Sequence, residues 1–251
     1  MKKVKHMNNE TRINTIKYFW ERVPAGASIA CGKGEKLLPV FRQLLDEFGL
    51  NYGIGRATEN NRQVLTMGET EIKLVRARNV IDWLKKGNCF FALSSLDAIC
   101  EWAAKVGYKK YEAFATDYEI KMLGTNRCTV EVACSRFSNE TAEIVNAFKR
   151  NGIPGLDSVL RENNLRIASD IPNLAKYFFT SYLVDDSFDG SIELLPKYRY
   201  PVIVSVVESG NSLNENKWLR LSQIRKDAIL LNSQTCIVTK RRQNVEPNQN
   251  L

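Results

Sequence analysis

An α/β fold is what this sequence predicts, and three observations predict it. Short apolar, β-branched runs alternate with segments whose apolar residues recur at helical spacing, from Ser28 to Thr239. The run Val202, Ile203, Val204, Val206 and Val207 is apolar at both parities, the mark of a strand covered on both faces. Gly-containing turns, Gly32-Lys33-Gly34 and Glu208-Ser209-Gly210-Asn211-Ser212, stand where a strand hands over to a helix.

Taken in order, Ile13, Ile16, Trp20 and Val23 fall at helical spacing and Pro24 ends the pattern, so a helix within residues 1–27 precedes the main fold as an extension. Ser28 to Cys31 is a strand, followed by the Gly-Lys-Gly turn and a helix over Leu37 to Phe48, closed by Gly49. Glu71 to Val75 reads as a strand, Val80 to Gly87 as a helix, Cys89 to Leu93 as a strand and Leu96 to Ala104 as a helix. Cys128 to Ala133 is the next strand, and Thr141 to Arg150 a helix that Gly152 and Pro154 end. Leu165 to Ala168 is a strand, and Pro172 opens a helix with Leu174, Tyr177, Phe178 and Ser181 on its apolar side. Ser191 to Leu195, Tyr200 to Val207, Ala228 to Leu231 and Thr235 to Thr239 complete the strands.

Composition narrows the function. The chain has 251 residues, 44% hydrophobic and 25% charged, enough for a sizeable core. A net charge of +8 suits an anionic partner. The basic residues are spread along the chain and cluster only at MKKVK and Lys240-Arg241-Arg242, a pattern that argues against nucleic acid. The six cysteines form no CxxC pair and sit mostly in apolar runs, as reduced core thiols do. His6 is the sole histidine and lies in a polar tail, which excludes histidine acid–base chemistry and histidine metal ligation. No run approaches membrane-spanning length, and a cytoplasmic protein is expected.

The turn Glu208-Ser209-Gly210-Asn211-Ser212 is the stretch with chemistry in it. Backbone N–H groups at a helix start, with the hydroxyls of Ser209 and Ser212, suit a phosphate monoester. The same residues also suit a plain βα connection, because turns need small residues that tolerate φ > 0. The Gly32-Lys33-Gly34 turn lacks the P-loop spacing, so a Walker-type ATPase is not expected.

Six stretches in order, IACGKG (Ile29 to Gly34), LVRARNV (Leu74 to Val80), RCTVEVA (Arg127 to Ala133), LRIASDIPNLAKYFF (Leu165 to Phe179), GSIELLP (Gly190 to Pro196) and VVESGNSLNEN (Val206 to Asn216), resemble the ATP phosphoribosyltransferase family of histidine biosynthesis. The extent is that of the family's short form, which works with a separate regulatory subunit. The resemblance implies two α/β lobes like those of type II periplasmic binding proteins, with a ligand cleft between them. Residues 28–126 plus 228–240 form the first lobe, 127–227 the second, and 241–251 a tail. It also implies transfer of ribosyl 5-phosphate from phosphoribosyl pyrophosphate (PRPP), with Mg²⁺, to N1 of ATP or a related purine, with release of pyrophosphate. Two polyphosphates in one reaction require a basic site, as the charge suggests.

Residue by residue, the resemblance assigns Glu208, Ser209, Gly210, Asn211 and Ser212 to the sugar 5′-phosphate. Glu193, with Arg76 and Ser191 of neighbouring motifs, falls to the nucleotide, and Glu193 also to the metal. Arg62, Lys33 and Lys36 face the pyrophosphate as the catalytic cations. Singly, Glu193 also suits a solvated strand edge, Arg62 a loop and Lys33 a helix start.

The chain departs from the family where Glu35 follows Lys33-Gly34 in place of arginine, and where Pro201 and Ser205 replace two aspartates ahead of the turn. Phe90-Phe91-Ala92 and Ser95 replace a further ligand stretch. These departures keep a second reading open, a non-catalytic paralogue that binds a nucleotide or sugar phosphate and serves as a regulatory or scaffold subunit. A homo-oligomer, or a hetero-oligomer with a regulatory subunit, is expected in either case. A third reading, a small-ligand binding protein of the same two-lobed build, fits the phosphate turn and the basic charge least.

Overall fold

The computed structural model describes residues 9–24, 27–32, 39, 42–43, 46, 53–56, 63–67, 70–76, 79–108, 111–185 and 192–241. The chain divides into two units, Met1–Ile99 with Lys110–Asn126 and Gln234–Leu251, and Cys100–Lys109 with Arg127–Ser233. Each is α/β around its own mixed sheet, the class that the alternation of strands and helices predicts.

The first sheet orders its strands β2 (Gly53–Arg56), β3 (Gln63–Met67), β4 (Thr70–Val75), β1 (Ser28–Gly32), β5 (Phe91–Ser95), β13 (Thr235–Lys240) and β6 (Tyr118–Met122). Its centre is parallel, β1 lying between β4 and β5, and its flanks are antiparallel. Burial on both faces explains the apolar runs: Ile29, Cys31, Ile72, Leu74, Phe91, Leu93 and Ile237 share one core cluster. The first helix, α1 (Asn9–Trp20), puts Phe19 into that cluster, so the segment read as an extension packs on the first sheet. Helices α2 (Val80–Lys85), α3 (Leu96–Lys105) and α4 (Tyr111–Asp117) follow in the chain, and the boundary between the two units falls inside α3. The helix expected over Leu37 to Phe48 lies largely outside the described residues.

The second sheet runs β11 (Trp218–Arg220), β7 (Cys128–Ser135), β10 (Val202–Val207), β8 (Ile167–Ser169) and β9 (Val184–Asp185). β12 (Ile229–Ser233) also pairs with β7. The sequence reading had placed residues 228–240 with the first lobe, and β12 departs from it because its partner is β7. β10 is central, antiparallel to β7 and parallel to β8, and only Val206 of its residues is not buried. That placement accounts for its β-branched run.

One local expectation is borne out and two are corrected. The helix that starts at Thr141 ends at Gly152 as expected, since Gly152 takes φ 61 and ψ −144, outside helical geometry; Pro154 then opens a second helical stretch that runs to Glu162, and α5 (Thr141–Glu162) spans both. Only glycine fits at position 152, since a Cβ would lie 2.1 Å from Oδ2 of Asp227. Of the strand expected over Ser191 to Leu195, Ser191 lies outside the described residues and Ile192 to Leu195 form no strand. Ile192–Leu194 form a 3₁₀ turn in which Ile192 is buried while Leu194 is 69% exposed, so a single anchor replaces the two-faced pattern of a strand. α6 (Pro172–Ala175) is four residues long, with Tyr177 and Phe178 beyond it and exposed. It is held by Glu101 of α3, whose carboxylate accepts from the N–H groups of Asn173 (3.2 Å) and Leu174 (2.7 Å).

None of the six cysteines is in a disulfide, and burial pushes the thiols of Cys31, Cys89 and Cys134 up to about 12, so these three stay protonated at neutral pH. No described helix is long and apolar enough to cross a membrane.

Candidate functional site

β10 ends at Val207 and delivers Glu208-Ser209-Gly210 directly into the last helix, α7 (Asn211–Glu215). Gly210 is the N-cap, at φ 81 and ψ 7, a left-handed conformation that glycine adopts at least cost. Oγ of Ser209 accepts from the Asn211 N–H at 3.2 Å, and the Gly210 carbonyl accepts the first helical bond, from Asn214 (3.1 Å). Glu208, Ser209, Asn211 and Ser212 are exposed, whereas Gly210 is buried. The turn residues read from the sequence are therefore brought together, with the hydroxyls of Ser209 and Ser212 at the surface.

What buries Gly210 is Arg220 of β11. A Cβ at position 210 would lie 2.5 Å from its Nη1 and 3.1 Å from its Cζ. Arg220 cannot readily move aside. Its Nε and Nη2 donate to Glu131 of β7 at 3.0 and 2.7 Å, a bidentate pair with a carboxylate that is 1% exposed. Thr129 donates to the same carboxylate at 2.6 Å, and the Ser222 hydroxyl donates to it as well. Burial raises the pKa of Glu131, but the hydrogen bonds from Arg220, Ser222 and Thr129 outweigh it and leave the group below its ordinary value. The Arg220 pKa is raised, chiefly by its bond to Glu131.

The same sheet face carries Ser205, directly opposite Glu131 in the β10–β7 register. Its hydroxyl donates to Oδ2 of Asp170, just past β8, at 3.4 Å. Pro201 is buried, and its carbonyl accepts from Ser135 at 2.8 Å. Further along this face, Ala133, Ala168, Ile203, Val207, Leu213 and Trp218 form an apolar cluster with Ile192. The face thus carries a polar patch, Glu131 and Ser205, set between Ile203 and Val207 of the apolar cluster.

Glu193 belongs to the 3₁₀ turn that packs on this cluster. Its side chain is half-buried, and its carbonyl accepts from the Trp218 indole at 2.9 Å. Arg76 follows β4 in the first unit, exposed, with its carbonyl accepting from the Asn79 N–H at 2.8 Å. Arg62, Lys33, Lys36, Ser191 and Glu35 lie outside the described residues. Among the described residues no group of three His, Cys, Asp or Glu side chains is placed to hold a metal ion, so these residues offer no complete protein cage for Mg²⁺. Sequence reading missed Glu131 and Arg220. Glu131 reads as the polar residue of an alternating strand, and its partner is 89 positions away.

Comparison with known proteins agrees with the motifs. The sequence model of a family described as ATP phosphoribosyltransferase matches residues 76–250. A search of the curated proteins finds no match. Among solved structures, the ATP phosphoribosyl transferase (HisG:HisZ) complex from Thermotoga maritima is similar with a TM-score of 0.57 at 19% identity, covering 85% of this chain and 87% of that one. At that identity the likeness is one of fold. The regulatory domain of the LysR-family regulator MetR from N. meningitidis (TM-score 0.40, 9% identity, 88% of each chain) and an ABC-type phosphate transport receptor from Vibrio cholerae (TM-score 0.39, 11% identity, 88% of this chain and 89% of that one) lie too far off to carry any argument.

Proposed function

Because the chain belongs to the ATP phosphoribosyltransferase family, we propose that it transfers the ribosyl 5-phosphate group of PRPP to N1 of ATP, or of a related purine nucleotide. The bond from C1 of the ribose to pyrophosphate breaks, the bond to the purine nitrogen forms, and pyrophosphate leaves. The observation that carries this reading is the 208–212 turn, which holds a left-handed glycine and two exposed hydroxyls. A phosphate monoester needs those groups, and fixing the donor by its 5′-phosphate leaves the reacting carbon oriented toward the acceptor.

In this reading the turn holds the 5′-phosphate, Arg62, Lys33 and Lys36 neutralise the departing pyrophosphate, and Arg76, Ser191 and Glu193 face the nucleotide. Mg²⁺ would neutralise charge on the pyrophosphate. The ion commonly binds through one or two carboxylates and substrate phosphates, so the single carboxylate of Glu193 suffices for the protein's share. We further infer a cytoplasmic enzyme that assembles with a regulatory subunit, in keeping with the HisG:HisZ complex to which its fold is similar.

A second reading keeps the ligand and drops the reaction. It is favoured by Ser205, which is 7% exposed and turned to Asp170 where the family carries an acid toward the sugar. Pyrophosphate release from ATP and PRPP with Mg²⁺, measured on the full chain, separates the two. Turnover supports the transferase. Binding of PRPP without turnover, in the presence and absence of a regulatory subunit, supports the non-catalytic paralogue, and no binding of either substrate overturns both.

A further inference from the structure

Deepening the reading of residues 208–212 as a phosphate turn, and resting on it, we propose that Arg220 and Glu131 are a positioning pair that sets this turn for the donor's 5′-phosphate. The Glu131 carboxylate receives Nε and Nη2 of Arg220 together with the hydroxyls of Thr129 and Ser222. Donors on both oxygens fix its plane, and a bidentate fork then fixes the plane of the guanidinium. The remaining nitrogen, Nη1, is left against Gly210, 2.5 Å from where a Cβ would stand. Gly210 therefore has its φ of 81 braced from the side on which any other residue would carry its side chain.

The pair also settles a charge problem. An ionised carboxylate beneath a phosphate site would repel the ligand, and Arg220 stands between Glu131 and the turn with the compensating charge. Arg220 acts through Gly210, so it is a positioning residue and no contact with substrate is required of it. Its demand on position 210 is separate from the demand made by the backbone angle, and the two can be measured apart.

Calorimetric titration of the full chain with ribose 5-phosphate and with PRPP provides the test. Arg220→Lys keeps the charge but loses the fork. It is expected to weaken ribose 5-phosphate binding by roughly tenfold or more, with the thermal transition retained. In turnover, the KM for PRPP should rise while kcat stays near that of the unmodified protein. Gly210→Ala should abolish binding when Arg220 is present and cost distinctly less when combined with Arg220→Lys, where the collision with the guanidinium is gone and only the strain of the φ 81 backbone remains. Glu131→Gln, which keeps the shape and one accepting oxygen, repeats the test should the lysine variant fail to fold, and weaker binding is again expected. Unchanged binding in Arg220→Lys or Glu131→Gln, or full additivity with Gly210→Ala, overturns the pair's role while the phosphate turn stands. An unmodified protein that binds neither ligand overturns the turn's reading and the pair with it.

Discussion

In the first sheet the described buried polar side chains are the hydroxyls of Ser94, Thr235 and Thr239, whereas the second sheet encloses the Glu131 carboxylate together with the hydroxyls of Ser169, Ser205 and Ser222. The first core encloses no charged side chain among the described residues. The second spends part of its interior on charge, and a buried ion pair is often replaceable by apolar residues at no loss of stability. Its presence directly under the 208–212 turn therefore points to the shape of that turn as its purpose. The difference marks the polar patch of the second sheet as the place where sequence departs from what packing requires.

The comparison breaks most sharply at Arg220. Arg220→Ala leaves Glu131 buried with only hydroxyl partners and should cost about 3–5 kcal/mol in denaturant unfolding. Replacing both members with apolar residues, Arg220→Met with Glu131→Leu, should recover most of that stability and still fail to bind ribose 5-phosphate. Recovery of binding along with stability would show that the pair serves the fold only. The acid limb gives a second view. Since the folded carboxylate lies below its ordinary value of 4.5, the unfolded chain binds the proton more readily. The stability it contributes is fully present above that ordinary value and is lost as pH falls through the lowered one. Glu131→Gln should flatten this part of the pH–stability curve.

A smaller effect is expected from placing an acid on β10. Ser205→Asp would bring a carboxylate beside Asp170, which the Ser205 hydroxyl approaches to 3.4 Å, and opposite Glu131 in the strand register. Like charges about 4 Å apart repel by about 1–4 kcal/mol between bulk water and a protein surface. The variant should lose that order of stability at pH 7 and regain it as pH falls and the carboxylates protonate, or on combination with Asp170→Asn. A gain in stability at pH 7 would mean that cations reach this face, and the polar patch of the second sheet would need a different account.

How much of this was legible in the sequence follows the range of the interactions. The β10 run, the turn and α7 are contiguous, so residue type and spacing suffice, and Gly210 could be singled out by its need for φ > 0. Gly152 and Pro154 form a local stop signal, and the helix from Thr141 does end there; the second helical stretch beyond Pro154 is what these turn residues do not announce. The residues Ile192 to Leu194 of the GSIELLP stretch read as part of a strand, yet with one buried isoleucine they form a 3₁₀ turn. Glu131 and Arg220 are joined through a sheet, each alone resembling a solvated strand residue. A pair of that kind carries no local signal.

The smallest expected effect sharpens the comparison from the other side. Ile237 of β13 is 1% exposed among Ile29, Phe91 and Leu93, with no polar group in its cluster apart from the thiol of Cys31. Ile237→Val removes one methylene from that packing and should cost about 0.5–1.5 kcal/mol. Denaturant unfolding would show a lower midpoint at an unchanged slope, because no other surface is exposed by the change. Affinity for ribose 5-phosphate should stay that of the unmodified protein, since Ile237 belongs to the core cluster of the first unit and the 208–212 turn and the pair beneath it belong to the second. Equal affinity, set beside the loss expected in Arg220→Lys, would separate a core that only packs from one that also positions. A fall in affinity would show that packing in the first sheet is coupled to the turn, and the contrast between the two sheets would no longer hold.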